Sequence, residues 1–175
     1  MLPTQAPYAW NLRRLRPGRM LDVGCGIGRN LGNVKGEAVG VDHNAASVAE
    51  ARSRGFVALT PEEFAYSRYA LEGGFDSLLF AHVLEHMTST EATALVATYL
   101  PHLRIGGKVL VILPQEAGYA TDPTHIAFVD VPEATAILAA AGVRVDRSRS
   151  FPLARPFGRW FRYNETVIVG SRQAG

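Results

Sequence analysis

The sequence predicts an α/β domain, a mostly parallel sheet with helices on both faces. Three observations carry that expectation. Short apolar runs alternate along the chain with longer periodic segments, the pattern of strands joined by covering helices. The first clear run, ending at Val23, leads into Gly24, Gly26 and Gly28, a tight turn that is expected to open a helix. The last two runs lie too close together for a helical crossover, so a hairpin is expected to place one antiparallel strand in the sheet.

In chain order, a helix is expected over Tyr8 to Leu15 and a first strand over Arg19 to Val23. A second strand, Ala38 to Val41, is followed by a helix over Ala45 to Ser53 and a third strand over Phe56 to Leu59. Thr60-Pro61-Glu62-Glu63 has the form of a helix start: a capping hydroxyl, proline at the first helical position, and a glutamate closing a capping box. Ser77 to Phe80 reads as strand four, Thr90 to Leu103 as a helix and Lys108 to Leu113 as strand five. A helix over Pro132 to Ala141 opens on proline and closes on Gly142. Strands over Val143 to Arg149 and Thr166 to Gly170 complete a set of seven, separated by a loop from Phe151 to Tyr163 rich in Pro, Arg and aromatic residues.

The turn after strand one carries chemistry. Gly24, Gly26 and Gly28 lack a Cβ, so a ligand can lie directly against the backbone, and Asp42 closes strand two where an acid in a βαβ unit takes both hydroxyls of an unphosphorylated ribose. The spacing is G-x-G-x-G: the third glycine of the dinucleotide fingerprint would fall on Arg29. There is no phosphate-loop motif, and Asp22 makes the turn a poor seat for a polyphosphate. A nucleoside cofactor without a polyphosphate is the remaining expectation.

Four blocks in order, Leu21-Asp-Val-Gly-Cys-Gly-Ile-Gly28, Gly40-Val-Asp42, the run from Phe75 to Met87 and the run from Leu103 to Pro114, resemble the class I S-adenosylmethionine-dependent methyltransferases. The resemblance covers roughly residues 8 to 145, and Glu-His after strand four is most similar to the small-molecule branch. It implies a Rossmann-like sheet of order 3-2-1-4-5-7-6, S-adenosylmethionine as cofactor, and in-line methyl transfer to O, N or C of a small-molecule acceptor. It further implies that Gly24, Cys25, Gly26 and Gly28 face the methionine and ribose parts, Asp42 and His43 the ribose side, and Ala81 and His82 the methionine side. Asp22 either orders the turn and the cofactor's ammonium or caps a helix. Many relatives carry an Asp after strand three for the adenine amino group; here Leu59-Thr60-Pro61-Glu62 stands in its place, leaving adenine to the backbone, Leu59, Thr60 or Glu62.

Composition agrees with one domain. The chain has 175 residues, 47% of them hydrophobic, enough for one sizeable core. No apolar stretch approaches a membrane span and no signal pattern opens the chain; with a single cysteine, Cys25, the expected setting is cytoplasmic. Net charge is +2, but seven arginines against Asp146 and Glu165 give residues 141–175 a net +5. The Phe151–Tyr163 loop, where Arg155, Arg159 and Arg162 interleave with aromatics, suits an anionic or aromatic acceptor, a nucleobase or an acidic surface. No stable nucleic-acid partner is expected, and the oligomeric state is not readable.

His82-Val-Leu-Glu85-His86 also spells H-x-x-E-H, the signature of one zinc-peptidase class. That chemistry needs a long helix presenting both histidines, whereas here the motif directly follows a strand. His82, Glu85, His86 and His125 have the donor types for one divalent ion, yet the metal-dependent members of the resembled family carry an acid where His82 stands, so no metal is expected. His86 and His125 are the candidate catalytic residues, since imidazole accepts a proton near pH 7 if the acceptor atom carries one.

Overall fold

In the computed structural model, residues 6–174 are described, and they form one seven-stranded sheet flanked by helices. The strands are β1 (Met20–Val23), β2 (Ala38–Val41), β3 (Val57–Leu59), β4 (Phe75–Ala81), β5 (Leu103–Pro114), β6 (Val143–Phe151) and β7 (Glu165–Arg172). Their order is β3-β2-β1-β4-β5-β7-β6, parallel throughout except that β7 runs antiparallel to both β5 and β6. The helices are α1 (Ala6–Arg14), α2 (Ala45–Ser53), α3 (Pro61–Ala65), α4 (Ser89–Tyr99), α5 (Glu116–Tyr119) and α6 (Val131–Ala140).

Alternation along the strands builds two cores. Leu21, Val23, Leu78, Phe80, Val109 and Val111 point to the face covered by α4 and α6, where they meet Val96, Tyr99, Ile137 and Leu138. Met20, Leu79, Leu110 and Ile112 point to the other face and meet Leu12 and Leu15 around α1. With both faces covered, the central strands read as unbroken apolar runs rather than alternating ones.

Three expectations change. No α-helix follows the glycine turn: fourteen residues join β1 to β2, and they form turns with one 3₁₀ segment at Leu31–Asn33. Gly28, Gly32 and Gly36 each weaken a helix there by about 1 kcal/mol, which removes the propensity a short helix needs. The helix expected to run to Leu103 stops at Tyr99, tightening to a 3₁₀ turn over Leu100–His102 around Pro101. Leu103 instead begins β5, which pairs with Phe75 and shifts register before Lys108 pairs with Ser77.

The capping box at Thr60 is present, with Thr60 Oγ1 accepting from Glu63 N at 3.3 Å and Glu63 Oε2 accepting from Thr60 N at 2.8 Å. The hairpin loop is fixed by a buried amide knot. Asn164 Nδ2 donates to Gln115 Oε1 and to Ser150 Oγ, both at 2.9 Å, while Asn164 Oδ1 accepts from Leu153 N at 2.8 Å.

Candidate active site

Ligands in open α/β sheets settle beyond the carboxyl ends of the strands where strand order reverses, here between β1 and β4. Three cavities of about 240, 440 and 320 Å³ open at that place, and His82 lines all of them. The first is largely apolar and lies between Asp42, His43 and Pro61 on one side and Val83, Leu95 and Tyr99 on the other. The second runs over Gly24, Cys25, Gly26, Ile27 and Ala81 to Tyr8, Arg162 and Glu165. The third is bounded by His86, Pro114, Thr121, Asp122 and His125, with Arg162 and Tyr163 shared with the second.

Asp42 closes β2 with its carboxylate nearly buried, Oδ2 accepting from Gly26 N at 2.7 Å and Oδ1 from Asn44 N at 2.8 Å. The acid expected to grip a ribose therefore also fixes the glycine turn. Gly26 adopts φ +51°, and a Cβ there would meet nothing within 4 Å, so its backbone is bare toward the cavity. Gly28 is different: its φ is +82°, a Cβ would strike Phe56 at 2.6 Å, and it lines none of the three cavities. It serves the packing of the turn on α2 and β3 rather than a ligand. Leu59 and Thr60 are likewise not brought to the cavity. Leu59 packs against the main core and the Thr60 hydroxyl is taken by its cap, so Pro61 is the residue of that segment at the wall.

Asp22 is fully buried and has no helix to cap, and neither of its oxygens meets a hydrogen-bond donor. Burial, and then the charge of Asp42, push its pKa up to about 7, with the nearby Asn30 amide offsetting them only in part. The Cys25 thiol is pushed up to about 12 by burial and by Asp22 and Asp42, which makes it a packing group against Gly40 rather than a nucleophile.

His82 follows β4 in the left-handed region at φ +56°, an unusual position for a residue with a side chain. Its Nε2 lies 2.8 Å from Glu165 Oε1 and its Nδ1 3.3 Å from Glu85 Oε1. Burial opposes the charged ring, but the two carboxylates outweigh it and raise the pKa to about 10. His82 is thus an imidazolium with both nitrogens engaged, and 46% of its side chain remains open to the cavities.

The other two histidines are fixed in one tautomer by their partners. His125 Nδ1 lies 2.7 Å from the Tyr119 carbonyl, which only accepts, so this nitrogen carries the proton. His86 Nδ1 faces the Thr124 carbonyl at 3.3 Å and the Thr124 hydroxyl at 3.1 Å. That hydroxyl gives its hydrogen to Asp122 Oδ1 at 2.6 Å, so toward His86 it accepts, and His86 too is protonated on Nδ1. In the neutral form both Nε2 atoms carry lone pairs. The rings sit 4.8 Å apart, and His125 stacks on Tyr119 at 4.9 Å.

Sequence reasoning missed Glu165, Arg162, Tyr163 and Tyr8 at this site. None has a local signal; Glu165 arrives because β7 pairs it with Pro114 at the end of β5, beside the end of β4. In the tail loop, Arg155 is held bidentate by Glu116 at 2.7 and 2.6 Å, and Trp160 is 77% exposed.

Fold and site together define an α/β protein that takes a nucleoside-type ligand at the β1–β2 turn and has a separate chamber beside it. The sequence profile of a methyltransferase domain matches residues 21–111, more than half of the chain. The chain belongs to the class I S-adenosylmethionine-dependent methyltransferases, and S-adenosylmethionine is its cofactor. No curated protein sequence matches it. Among solved structures, a SAM-dependent methyltransferase from Archaeoglobus fulgidus is 18% identical, with 96% of this chain and 94% of that one covered and a TM-score of 0.73. One from Mesorhizobium loti is 16% identical, covering 98% and 99% at a TM-score of 0.66. Magnesium protoporphyrin IX methyltransferase from Synechocystis, solved with bound SAH, is 17% identical, covering 97% and 85% at a TM-score of 0.66.

The residues fit this cofactor. The bare Gly26 backbone leaves room for it, and Asp22, Asp42 and Glu165 make the surroundings acidic, which suits a nucleoside carrying a sulfonium and an ammonium and repels a polyphosphate.

Proposed function

We propose that this protein transfers the methyl group of S-adenosylmethionine to an O, N or C atom of a small-molecule acceptor seated in the chamber of about 320 Å³ beside His86 and His125. The observation that carries this reading is the chamber itself, of a size ordinary for small-ligand sites and meeting the cofactor cavities at His82. The cofactor supplies an activated methyl on sulfur. The protein's main task is then to align the acceptor for in-line displacement and to exclude water. In this reading Gly24, Cys25 and Gly26 lie along the cofactor, Asp42 and His43 stand at its ribose, and Ala81 and His82 at its methionine side.

His86 and His125 are the catalytic residues, because they present the Nε2 lone pairs of this chamber to an acceptor atom that must lose a proton. His82 cannot take that part, since both its nitrogens are already engaged. A cytoplasmic setting belongs to the same reading, supported by a lone, buried thiol; among the described residues no helix is long and apolar enough to cross a membrane.

The test is a screen of small phenols, amines and carboxylic acids with radiolabelled methyl donor, paired with calorimetric titration of S-adenosylmethionine and NAD. Label transfer to a small acceptor, lost in a His86→Asn/His125→Asn double variant that still binds cofactor, is the expected result. Transfer only to RNA, DNA or protein would overturn the acceptor class.

A further inference from the structure

We propose that Glu85, His86 and His125 bind a divalent transition-metal ion, zinc being the leading candidate, in the wall of the acceptor chamber. The proposal rests on the chamber being the acceptor's place. One ligand atom from each of the three residues lies within 4.8 Å of the other two. An ion at their centre stands no more than about 2.8 Å from each, and the cluster needs to contract by about half an ångström to reach zinc–nitrogen and zinc–oxygen bond lengths.

The decisive observation is Glu85. Its side chain is fully buried, neither carboxylate oxygen has an aligned hydrogen-bond donor, and its neighbours are His82 Nδ1 at 3.3 Å and His125 Nε2 at 4.0 Å. His82 is shared with Glu165, and the neutral His125 turns a lone pair, not a proton, toward Glu85. A buried carboxylate facing an imidazole lone pair is repulsive and costly unless a cation lies between them. The surroundings are those of metal-binding histidines: each ring donates Nδ1–H to a backbone carbonyl of one loop, His125 to Tyr119 and His86 to Thr124, which orients Nε2 toward the ion. Two imidazoles and one carboxylate select a transition metal over magnesium or calcium, and leave coordination positions open to an acceptor bearing an oxygen donor. With the ion in place the two histidines act on the acceptor through it: the acceptor's O–H proton passes to water, its oxygen bonds the methyl carbon, and the carbon–sulfur bond breaks. His82 then holds Glu85 in position from outside the ligand set, and no acid is needed at residue 82.

The experiment uses chelator-treated full-length protein, titrated with Zn²⁺ by calorimetry and with Co²⁺ by visible absorption. Wild type is expected to take up one ion per chain. Glu85→Gln and His125→Asn are expected to weaken uptake by about tenfold or more, while His102→Asn, remote from the site, leaves it unchanged. His86→Asn, at a more exposed position, keeps the test decisive if Glu85→Gln does not fold. Absence of saturable uptake in wild type, or uptake equal in all variants, overturns the proposal. S-adenosylmethionine binding, titrated on the same chelator-treated wild type, tests the methyltransferase reading separately, because none of its cofactor contacts runs through the three ligands.

Discussion

The two halves of the site are built differently. The cofactor half is local: Asp42 reaches Gly26 across sixteen residues, and β1, β2 and their turn are contiguous in the chain. The acceptor half is assembled across long separations: His82 meets Glu165 over 83 residues, His86 meets Thr124 over 38, and Glu116 holds Arg155 over 39. Backbone and one acid make the first; side-chain charges and tautomers make the second. Conformation dominates one half and electrostatics the other, so the two should respond to different perturbations.

The largest effect is expected at the local half. Asp42→Ala removes the acceptor for Gly26 N and Asn44 N together with the ribose partner, and should weaken S-adenosylmethionine binding by about 1–3 kcal/mol, roughly 5- to 150-fold. Calorimetry on a variant of unchanged circular dichroism checks it, and an unaltered dissociation constant would take Asp42 out of the cofactor site. In the long-range half, His82→Ala leaves Glu165 and Glu85 facing each other without a cation. Because the ring is half-exposed, a loss of about 1–2 kcal/mol is expected, less than for a fully buried pair, measurable by urea unfolding.

A smaller and opposite effect is expected at Asp22. Its pKa is raised from the ordinary carboxylate value to about 7, so between those values the folded protein holds a proton that the unfolded chain has lost. Stability from this group therefore falls as pH rises from about 4 to about 7. Asp22→Asn should flatten that part of the pH–stability profile and raise the melting temperature at pH 8 by a few degrees, while weakening cofactor binding. A parallel profile in the variant would show that Asp22 does not titrate there. The smallest effect is expected from changing Arg155, Arg159 and Arg162 together to Gln. Arg155 is already paired with Glu116, so binding of labelled RNA or DNA, followed by fluorescence polarisation at two salt concentrations, should be weak and unaltered. Submicromolar binding at physiological salt, abolished in the triple variant, would reverse the small-molecule reading.

The contrast also explains what was readable beforehand. Strand order, the hairpin, the Thr60 cap and the turn with Asp42 come from segments whose own residues dictate their conformation. The helix after the turn was misread because a glycine motif was taken to open a helix that Gly28, Gly32 and Gly36 do not support. Leu59 and Thr60 were placed one residue early, since side-chain direction decides whether Thr60 or Pro61 meets the cavity. Glu165 could not be found at all: it is one acid in a basic tail until the β5–β7 register sets it beside His82.

The position of β7 has a consequence for how the molecule comes into being. The last strand in the chain is an inner strand of the sheet, wedged between β5 and β6. Until residues 165–172 have left the ribosome, β5 and β6 have no partner between them and expose open edges, a state prone to mispairing with other chains. Glu165 opens that strand, so the charge clamp on His82 forms only with the final insertion, and neither the sheet nor the chamber wall is complete before synthesis reaches it.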